Sequence, residues 1–392
     1  QLLPLIRRLL PDADAPTPVA DKLYRFLDET LELVPEIGAV AGEARALTTR
    51  LSGGLAVWGR RITCEPQRLR VVGTAGSGKT QLALAVFRDA LEAGRRPLYV
   101  CYNRPLADHL ALIVPPGGEV ATYHQLCDRI LRGLGVPVDF SCPDVFSRLE
   151  HDFAAALPGE AWRFDTLIVD EGQDFLPEWR DPLLRLLTPT GQAWWLEDPM
   201  QNLYGRPPVP LPGWVTLRAD ANYRTPRNIL DPLNRILARD RPLEAGSPLR
   251  GAELEILKYE GTQNLIEVTK RAITRALGLG FTRELIAVLT FRGREHSALS
   301  PFDRLGPHAL RAFTGRYDLL GSPMYSEGET VMESVYRFKG QSAPCVILTE
   351  IDFDALDDLA MRKLFVGATR AMMKLTLIVS ARADRLLQAR LG

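Results

Sequence analysis

Apolar and polar residues follow two different periodicities along this chain. In the N-terminal part the apolar positions recur at helical spacing. Two series carry that spacing: Leu23, Phe26, Leu27, Leu31 and Val34, then Val40, Ala44, Leu47 and Leu51. Thr17-Pro18 is typical of a helix start, and Gly53-Gly54 predicts the end of the second helix. We therefore predict an N-terminal helical segment, residues 1–66, that packs on the following part of the chain.

From Arg70 onward, short apolar runs alternate with helical segments. The runs typical of strands are residues 69–73, 97–101, 166–169, 193–196, 254–257, 285–291, 344–351 and 375–380. Such alternation predicts an α/β fold with mainly parallel sheets covered on both faces. Four prolines crowd residues 207–212, and a second series of strands begins near Trp214. We expect two tandem α/β domains, residues 67–212 and 213–392.

Composition and charge narrow the function classes. The 392 residues suffice for two ordinary domains, and no low-complexity tract interrupts them. We read no apolar run of bilayer-spanning length and no secretory leader, and the five cysteines lack metal-binding spacing. The expectation is a cytoplasmic protein without membrane contact. Lys and Arg number 48, as do Asp and Glu, so contact with nucleic acid would need a local basic groove.

A glycine-rich loop gives the clearest chemical signal. After an apolar run it reads Gly73, Thr74, Ala75, Gly76, Ser77, Gly78, Lys79, Thr80, and Gln81 then opens a helical stretch. This is the full phosphate-loop pattern in its context of strand, loop and helix. The glycines let backbone amides turn toward phosphate oxygens, and the helix start adds its positive end. Lys79 would neutralise the β- and γ-phosphates of ATP, and the Thr80 hydroxyl would hold Mg²⁺.

A second motif, this one acidic, follows the apolar run 164–169. Asp170 comes directly after that predicted strand, where a carboxylate would reach the magnesium ion beside Thr80. Glu171 is the next residue and would deprotonate the attacking water. An acidic cluster after a strand is often only a solvated turn, but its distance from the phosphate loop favours a catalytic role.

With these two motifs in place, the chain resembles the superfamily 1 UvrD/Rep-like helicases. The segments that carry the resemblance, beyond the phosphate loop and 170–174, are 100–103, 122–126, 197–204, 222–225, 335–341 and 364–371. The resemblance implies two RecA-like domains around one ATP. Gln201 would sense the γ-phosphate, and Tyr223 would stack on adenine. Arg224 and Arg370 would reach the γ-phosphate from the second domain, where guanidinium groups stabilise the charge that develops during transfer.

The resemblance also implies a single-stranded nucleic acid as partner, in the family DNA traversed from 3′ to 5′. The residues that would contact it are Tyr102, Asn103, Thr122, His124, Tyr204, Lys339 and Gly340. A cleft that closes on ATP and opens after hydrolysis, while each half grips the strand, would move the protein stepwise.

The chain departs from the family pattern at several points. The adenine-reading glutamine upstream of the loop has no clear counterpart, and Gln81 stands where an arginine is usual. Arg206 follows Tyr204-Gly205 where the family has a stacking aromatic, with Trp214 as a remote replacement. The spacing between motifs leaves little room for the family's accessory domains. These departures weaken the expected grip on nucleotide and strand.

Three functions therefore compete. The first is an ATP-driven translocase or weak helicase on single-stranded nucleic acid. The second is an ATP-hydrolysing regulatory or defence subunit that switches a protein partner such as a nuclease, without processive unwinding. The third, a catalytically inactive scaffold, is disfavoured because the residue types of the ATPase site are all present.

Overall fold

A computed structural model describes residues 37–140, 142–156, 159–238, 242–317 and 323–391. Its α-helices are α1 (Ile37–Gly59), α2 (Lys79–Glu92), α3 (Arg104–Ile113), α4 (Tyr123–Gly133), α5 (Val145–Ala155), α6 (Arg180–Leu184), α7 (Arg227–Leu237), α8 (Gly261–Gly278), α9 (Asp358–Ala368) and α10 (Ala381–Leu391). Short 3-10 helices cover Glu160–Trp162, Gly172–Asp174, Pro177–Trp179, Pro199–Gln201 and Arg283–Leu285. Within these ranges, no helix combines the length and the apolar character that crossing a bilayer requires.

The strands form two large sheets and one small pair. They are β1 (Arg68–Gly73), β2 (Pro97–Cys101), β3 (Glu119–Thr122), β4 (Phe164–Val169), β5 (Leu187–Glu197), β6 (Val215–Ala219), β7 (Ala221–Asn222), β8 (Glu244–Ala245), β9 (Glu255–Tyr259), β10 (Ile286–Thr290), β11 (Arg304–Leu305), β12 (His308–Tyr317), β13 (Pro323–Tyr325), β14 (Thr330–Ser334), β15 (Ala343–Ile351) and β16 (Ala371–Ser380). We call residues 37–219 the first half and residues 221–391 the second half.

The first sheet has six strands in the order β3-β2-β4-β5-β1-β6, and every neighbouring pair is parallel. β2 is buried throughout, because helices cover both faces of the sheet. One face packs on α2 and α3 through residues such as Leu82 and Leu106. The other face packs on α4 and α5 through residues such as Ile130 and Phe153.

The strand β6 corrects one expectation about the second strand series. Val215–Ala219 pairs in parallel with β1, with Val71 beside Leu217. The run that starts near Trp214 therefore completes the first sheet instead of opening the second. This pairing carries the first sheet past residue 212, where the sequence predicted the first domain to end.

The second sheet has eight strands in the order β11-β12-β14-β10-β15-β16-β9, with β13 paired to β12. Only the pairs β11–β12 and β12–β13 are antiparallel among the described strands. β10 and β15 are buried throughout at its centre. Helices α7, α9 and α10 cover one face, and α8 covers the other.

The predicted α/β architecture with mainly parallel sheets is confirmed, and it is consistent with a RecA-like fold. Each of the eight runs chosen from the sequence overlaps a strand, although β5 begins at Leu187, six residues before its run at 193–196. The sequence pattern missed β3, β7, β8 and the strands β11 to β14. Those strands are short or partly exposed, so they lack the continuous apolar run that marks a central parallel strand.

Helix α1 differs from its prediction. The helix passes through Gly53 and Gly54 and ends only at Gly59. Its continuation is stabilised by packing, because Ala56 is buried in the first-sheet core and Leu55 lies against the same cluster. At its other end Ile37 packs against the core of the second sheet, so α1 contacts both halves. The helix predicted around residues 23–34 lies outside the described residues.

We expect Gly54→Ala to raise the free energy of unfolding by about 0.5–1 kcal/mol, because alanine favours a helix interior over glycine. A methyl group at Gly54 has no neighbour within 4 Å. Urea denaturation followed by circular dichroism would measure the change. Gly94→Ala is the matched control, because it has equal space but a φ of +68°. Gly94→Ala should lower the free energy of unfolding by about 1 kcal/mol. A loss of stability in Gly54→Ala would mean that α1 ends at the glycines in solution.

Candidate functional site

The carboxyl ends of parallel strands bring three loops of the first half together. The glycine-rich loop follows β1, Asp170 and Glu171 follow β4, and Asp198 follows β5. β5 lies between β1 and β4, so all three loops emerge at the same edge of the sheet. This edge is where ligands of open α/β sheets bind.

The glycine-rich loop has the backbone conformation of a phosphate cradle. Gly78 caps α2 with a φ of 97°, a left-handed conformation that few other residues adopt. Lys79 is buried, and its Nζ donates to the carbonyl oxygens of Gly73 at 2.7 Å and Thr74 at 3.1 Å. The hydroxyl groups of Thr74 and Ser77 are buried without a hydrogen-bond partner in the described structure. Unpaired buried hydroxyls beside a lysine suit an oxyanion ligand.

Asp170 is fixed by two donors. The Tyr99 hydroxyl donates to Asp170 Oδ2 at 2.8 Å, and the Glu171 amide donates to Oδ1 at 2.9 Å. Burial, and then the charge of Glu171, raise the pKa of Asp170 to about 6. A bound divalent cation would relieve that penalty. Sequence reasoning missed Tyr99, and no local signal marks it, because it lies inside an apolar strand.

Glu171 is held in a strained and strongly charged setting. Its φ of 55° lies in the left-handed region, which is rare outside glycine and is typical of functional sites. Gln173 Nε2 donates to Glu171 Oε2, and Lys339 Nζ lies 3.5 Å from the same oxygen. Burial alone would raise the pKa of Glu171, but the ammonium groups of Lys339 and Lys79 outweigh it and lower the pKa. The carboxylate is thus kept ionised, as a proton acceptor must be.

Arg370 reaches this edge from the second half. It is only 1% exposed, and its Nη2 donates to Gln201 Oε1 at 3.2 Å. Its Nε and Nη1 donate to the carbonyl oxygens of Val366 and Gln341, so the guanidinium is held in one orientation. Gln201 in turn donates to Asp198 Oδ2 at 2.7 Å. This chain of contacts joins the predicted γ-phosphate sensor to the predicted arginine.

The cavity beside the glycine-rich loop is lined by residues of both halves. Its lining includes Ala75, Gly76, Ser77, Gly78, Lys79, Thr80, Gln81, Glu171 and Gln201 from the first half, and Arg224, Gly340, Ser342, Arg370 and Met372 from the second. Burial, and then the nearby charge of Arg224, lower the pKa of Arg370 to about 9. Two guanidinium groups that repel each other beside Lys79 indicate a site for a polyanion.

Helix α1 adds a wall that the sequence motifs did not reveal. Arg45, Thr48, Thr49 and Ser52 line the same cavity. The contact is close, since a Cβ built on Gly78 would overlap the Ser52 carbonyl oxygen. No motif identifies these residues; only the fold places them beside the loop.

Tyr223 contacts the glycine-rich loop through its backbone and is not among the residues that line the cavity. Its amide donates to the Gly76 carbonyl at 3.2 Å, which ties the second half to the phosphate loop. Its ring packs against Gly246, where a built Cβ would come within 2.6 Å of Cδ1. Its role toward a base stays a prediction.

The residues at this edge could hold ATP with magnesium. The features compatible with this ligand are the loop conformation, the unpaired hydroxyls and the four cations that line one cavity, Arg45, Lys79, Arg224 and Arg370. Thr80 and Asp170 would supply hard oxygen ligands of the kind that Mg²⁺ prefers.

Two residues predicted to contact nucleic acid, Tyr102 and Tyr204, belong to an aromatic cluster. Tyr102 lies 5.2 Å from Tyr204 between ring centroids, and Tyr204 lies 5.9 Å from Tyr336 of the second half. The Arg206 guanidinium lies over the Tyr102 ring at 4.2 Å and over the Trp179 ring at 4.8 Å. We call Tyr102, Trp179, Tyr204, Arg206 and Tyr336 the aromatic platform. The sequence comparison treated Arg206 only as a lost aromatic and missed this stacking.

Other predicted strand contacts have visible structural partners. The Thr122 hydroxyl caps α4 by accepting from the Gln125 amide at 3.2 Å. His124 Nε2 lies 2.8 Å from Glu150 Oε1. Asn103 Nδ2 donates to the Lys339 carbonyl at 3.2 Å, across the two halves. Trp214, considered as a remote stacking residue, packs against Trp195 in the first-half core.

Lys339 and Gly340 lie inward from the platform. The Lys339 side chain is 1% exposed and its Nζ lies 2.6 Å from Asp174 Oδ2. Gly340 has a φ of 84° and lines the cavity that contains Lys79. Neither residue lies in a groove on the surface, and their contact with a nucleic acid stays a prediction.

Comparison with known proteins adds one match. Residues 331–378 match the family model of the UvrD-like helicase C-terminal domain. The resemblance to UvrD/Rep-like helicases is confirmed. The match covers Lys339, Gly340 and Arg370, but it does not extend to the glycine-rich loop. No curated protein matches the chain at a significant level.

We expect Gly172→Ala to lower the free energy of unfolding by about 1–3 kcal/mol, the usual cost of overpacking a core. A methyl group at Gly172 would overlap Trp195 Nε1, so the turn that carries Glu171 and Gln173 would have to move. Chemical denaturation measures the change. Gly159→Ala is the control, with open space and no positive φ. Equal stability of the two variants would contradict the described packing of this turn.

Proposed function

We propose that this protein is a magnesium-dependent ATPase that translocates along single-stranded DNA from 3′ to 5′, with weak helicase activity at most. The observation that carries the proposal is the shared cavity, in which Arg224 and Arg370 from the second half face Lys79, Thr80 and Glu171 from the first. A helicase-type function in nucleic-acid metabolism is supported by the family match. Such a site at a junction couples ATP to the relative position of the two halves.

The proposed architecture is two tandem RecA-like domains with the nucleotide between them. The parallel sheet of each half supports it, since each half has its own sheet and its own core. The position of β6 argues for a boundary after residue 219 rather than after 212. Residues of α1 would belong to the nucleotide site as well as to the helical N-terminal segment.

The chemistry follows from the residues around the cavity. Loop amides and Lys79 would bind the β- and γ-phosphates, and Thr80 with Asp170 would hold the magnesium ion, which supplies charge neutralisation when bound. Glu171 would accept a proton from water at a carboxylate oxygen while the water oxygen attacks the γ-phosphorus. The bond to the leaving ADP oxygen then breaks and phosphate forms. Arg370 would stabilise the charge on the transferring group.

The aromatic platform is the proposed contact surface for single-stranded DNA. Tyr204 is 42% exposed, and a base can stack on tyrosine or on a guanidinium plane. Each stacked base contributes about 1–3 kcal/mol. The formal net charge of zero predicts weak binding in which base stacking contributes more than long-range electrostatic attraction.

The protein should hydrolyse ATP only with magnesium, and single-stranded DNA should raise its kcat at least tenfold. The reason is that strand contacts would favour the closed cleft in which Arg370 and Glu171 act together. A coupled ATPase assay with oligo-dT, oligo-rU and no nucleic acid makes the measurement. Glu171→Gln is the control, because it should bind a fluorescent ATP analogue as the wild type does and lose hydrolysis by about 10²–10⁴-fold.

The outcomes separate the competing functions. Stimulation by oligo-rU but not oligo-dT would move the substrate to RNA. An ATPase rate that neither oligonucleotide changes would overturn the proposed translocase. It would favour an ATP-driven switch that acts on a protein partner such as a nuclease. Hydrolysis that survives in Glu171→Gln would show that another residue is the base.

Arg370→Ala should lower kcat by about 10³-fold or more, the effect expected of an arginine that contacts a transferring phosphoryl group. Nucleotide affinity should change far less, since Lys79 and the loop would remain. Arg362→Ala is the matched control on helix α9. It crosses between the halves by donating to the Asn202 carbonyl at 3.1 Å, outside the cavity lining. A similar loss in both variants would mean that Arg370 acts only by holding the halves together.

A further inference from the structure

One lysine of the second half is buried among carboxylates of the first. Lys339 lies in the loop between β14 and β15, and its side chain is 1% exposed. Its Nζ lies 2.6 Å from Asp174 Oδ2 and 3.5 Å from Glu171 Oε2. Its own carbonyl accepts from Asn103 Nδ2 at 3.2 Å. Both ends of this residue are therefore bound to the first half.

This placement differs from that of a lysine that grips a nucleic-acid backbone. An ammonium that binds the backbone of a nucleic acid has to be reachable from solvent before the nucleic acid arrives, and burying a charge costs several kcal/mol unless a partner compensates. Here the compensating partners are Asp174, itself fully buried, and the candidate base Glu171. The ammonium is within ion-pair distance of both carboxylates, at 2.6 Å from Asp174 and 3.5 Å from Glu171, so a shift of about an ångström would change which one it neutralises more strongly.

Asp174 also connects to the aromatic platform. Arg206 donates from Nη1 to the Asp174 carbonyl oxygen. The same guanidinium lies over the Tyr102 ring at 4.2 Å and over the Tyr204 ring at 5.4 Å. A base that stacks on the platform would press on Arg206, whose hydrogen bond ends on the residue that holds Lys339. The contacts thus run without a gap from the platform through Asp174 and Lys339 to Glu171.

We propose that Lys339 is a positioning residue that couples the strand to ATP hydrolysis. Its ammonium group would move closer to Asp174 or closer to Glu171, depending on whether a base is stacked on the aromatic platform. In the described state the ammonium belongs mainly to Asp174. Strand binding would shift Asp174 through Arg206 and move the ammonium toward or away from the Glu171 carboxylate, which sets the orientation of the base. The inference rests on the proposed ATPase function and adds the residue through which the strand would control it.

The test separates coupling from direct strand contact. In Lys339→Met the affinity for oligo-dT, measured by fluorescence anisotropy, should stay within about twofold of wild type with an unchanged salt slope. The kcat at saturating oligo-dT should fall at least tenfold. Lys339→Arg, which keeps the charge, should recover part of that loss. A merely structural lysine would not separate kcat from strand affinity in this way.

Lys374→Met is the matched control, because Lys374 is a second nearly buried lysine of the same half, with Nζ 3.1 Å from Glu255 Oε2. It should keep the stimulated kcat even if its unfolding temperature falls. If Lys339→Met does not fold, the double variant with Asp174→Asn removes both charges and avoids the unpaired buried carboxylate. That double variant should also lose stimulation.

Two results would overturn the coupling role. One is a weaker strand affinity with a shallower salt slope and a normal kcat at saturation, which would make Lys339 a phosphate contact. The other is full stimulation in the folded double variant. A wild-type protein without strand-stimulated ATPase activity would instead overturn the proposed function itself.

Discussion

The buried carboxylates at the edge of the first sheet depend on cations for their burial. Asp170, Glu171, Asp174 and Asp198 are each at most 5% exposed. One compensating cation, Lys79, comes from the same loop cluster. Two others, Lys339 and Arg370, come from the second half and are each 1% exposed. Because isolated charges are not tolerated in a protein interior, the acidic edge and the basic face require each other.

Because the charged groups of the two halves depend on each other, a ligand that changes the charge at the junction would also change how the halves contact each other. Removing one member of a buried ion pair costs about 3–5 kcal/mol, since the other member remains unpaired. Opening the two halves would carry the same kind of penalty, which water or a ligand would have to offset. A polyphosphate with its metal ion adds both negative and positive charge at this edge, so it would redistribute the pairs rather than simply fill a space. Charge redistribution at a junction is a direct route from ligand to relative movement.

The sequence identified motifs that are contiguous along the chain, but it did not identify residues that meet those motifs only through tertiary packing. The glycine-rich loop and the 170–174 motif were found because each is a contiguous pattern beside an apolar strand. The partners of those motifs were not visible, because Tyr99, Arg206 and the α1 wall reach the site only through folding. Lys339 was identified, but its predicted partner was a nucleic acid, whereas its neighbours in the structure are carboxylates. Helix α1 continues through two glycines because core packing outweighs a propensity cost of about 1 kcal/mol per glycine.

The loss of a stacking aromatic after Tyr204 takes on a different meaning in this setting. An aromatic side chain would add stacking energy but could not donate a hydrogen bond to the Asp174 carbonyl, as Arg206 does. The guanidinium keeps a flat surface for a base and also joins that surface to the charge network. A protein with zero net charge has little long-range attraction for DNA. Under the proposed function, its response to single-stranded DNA would therefore depend less on affinity than on how efficiently each stacking event reaches Glu171, the proposed base.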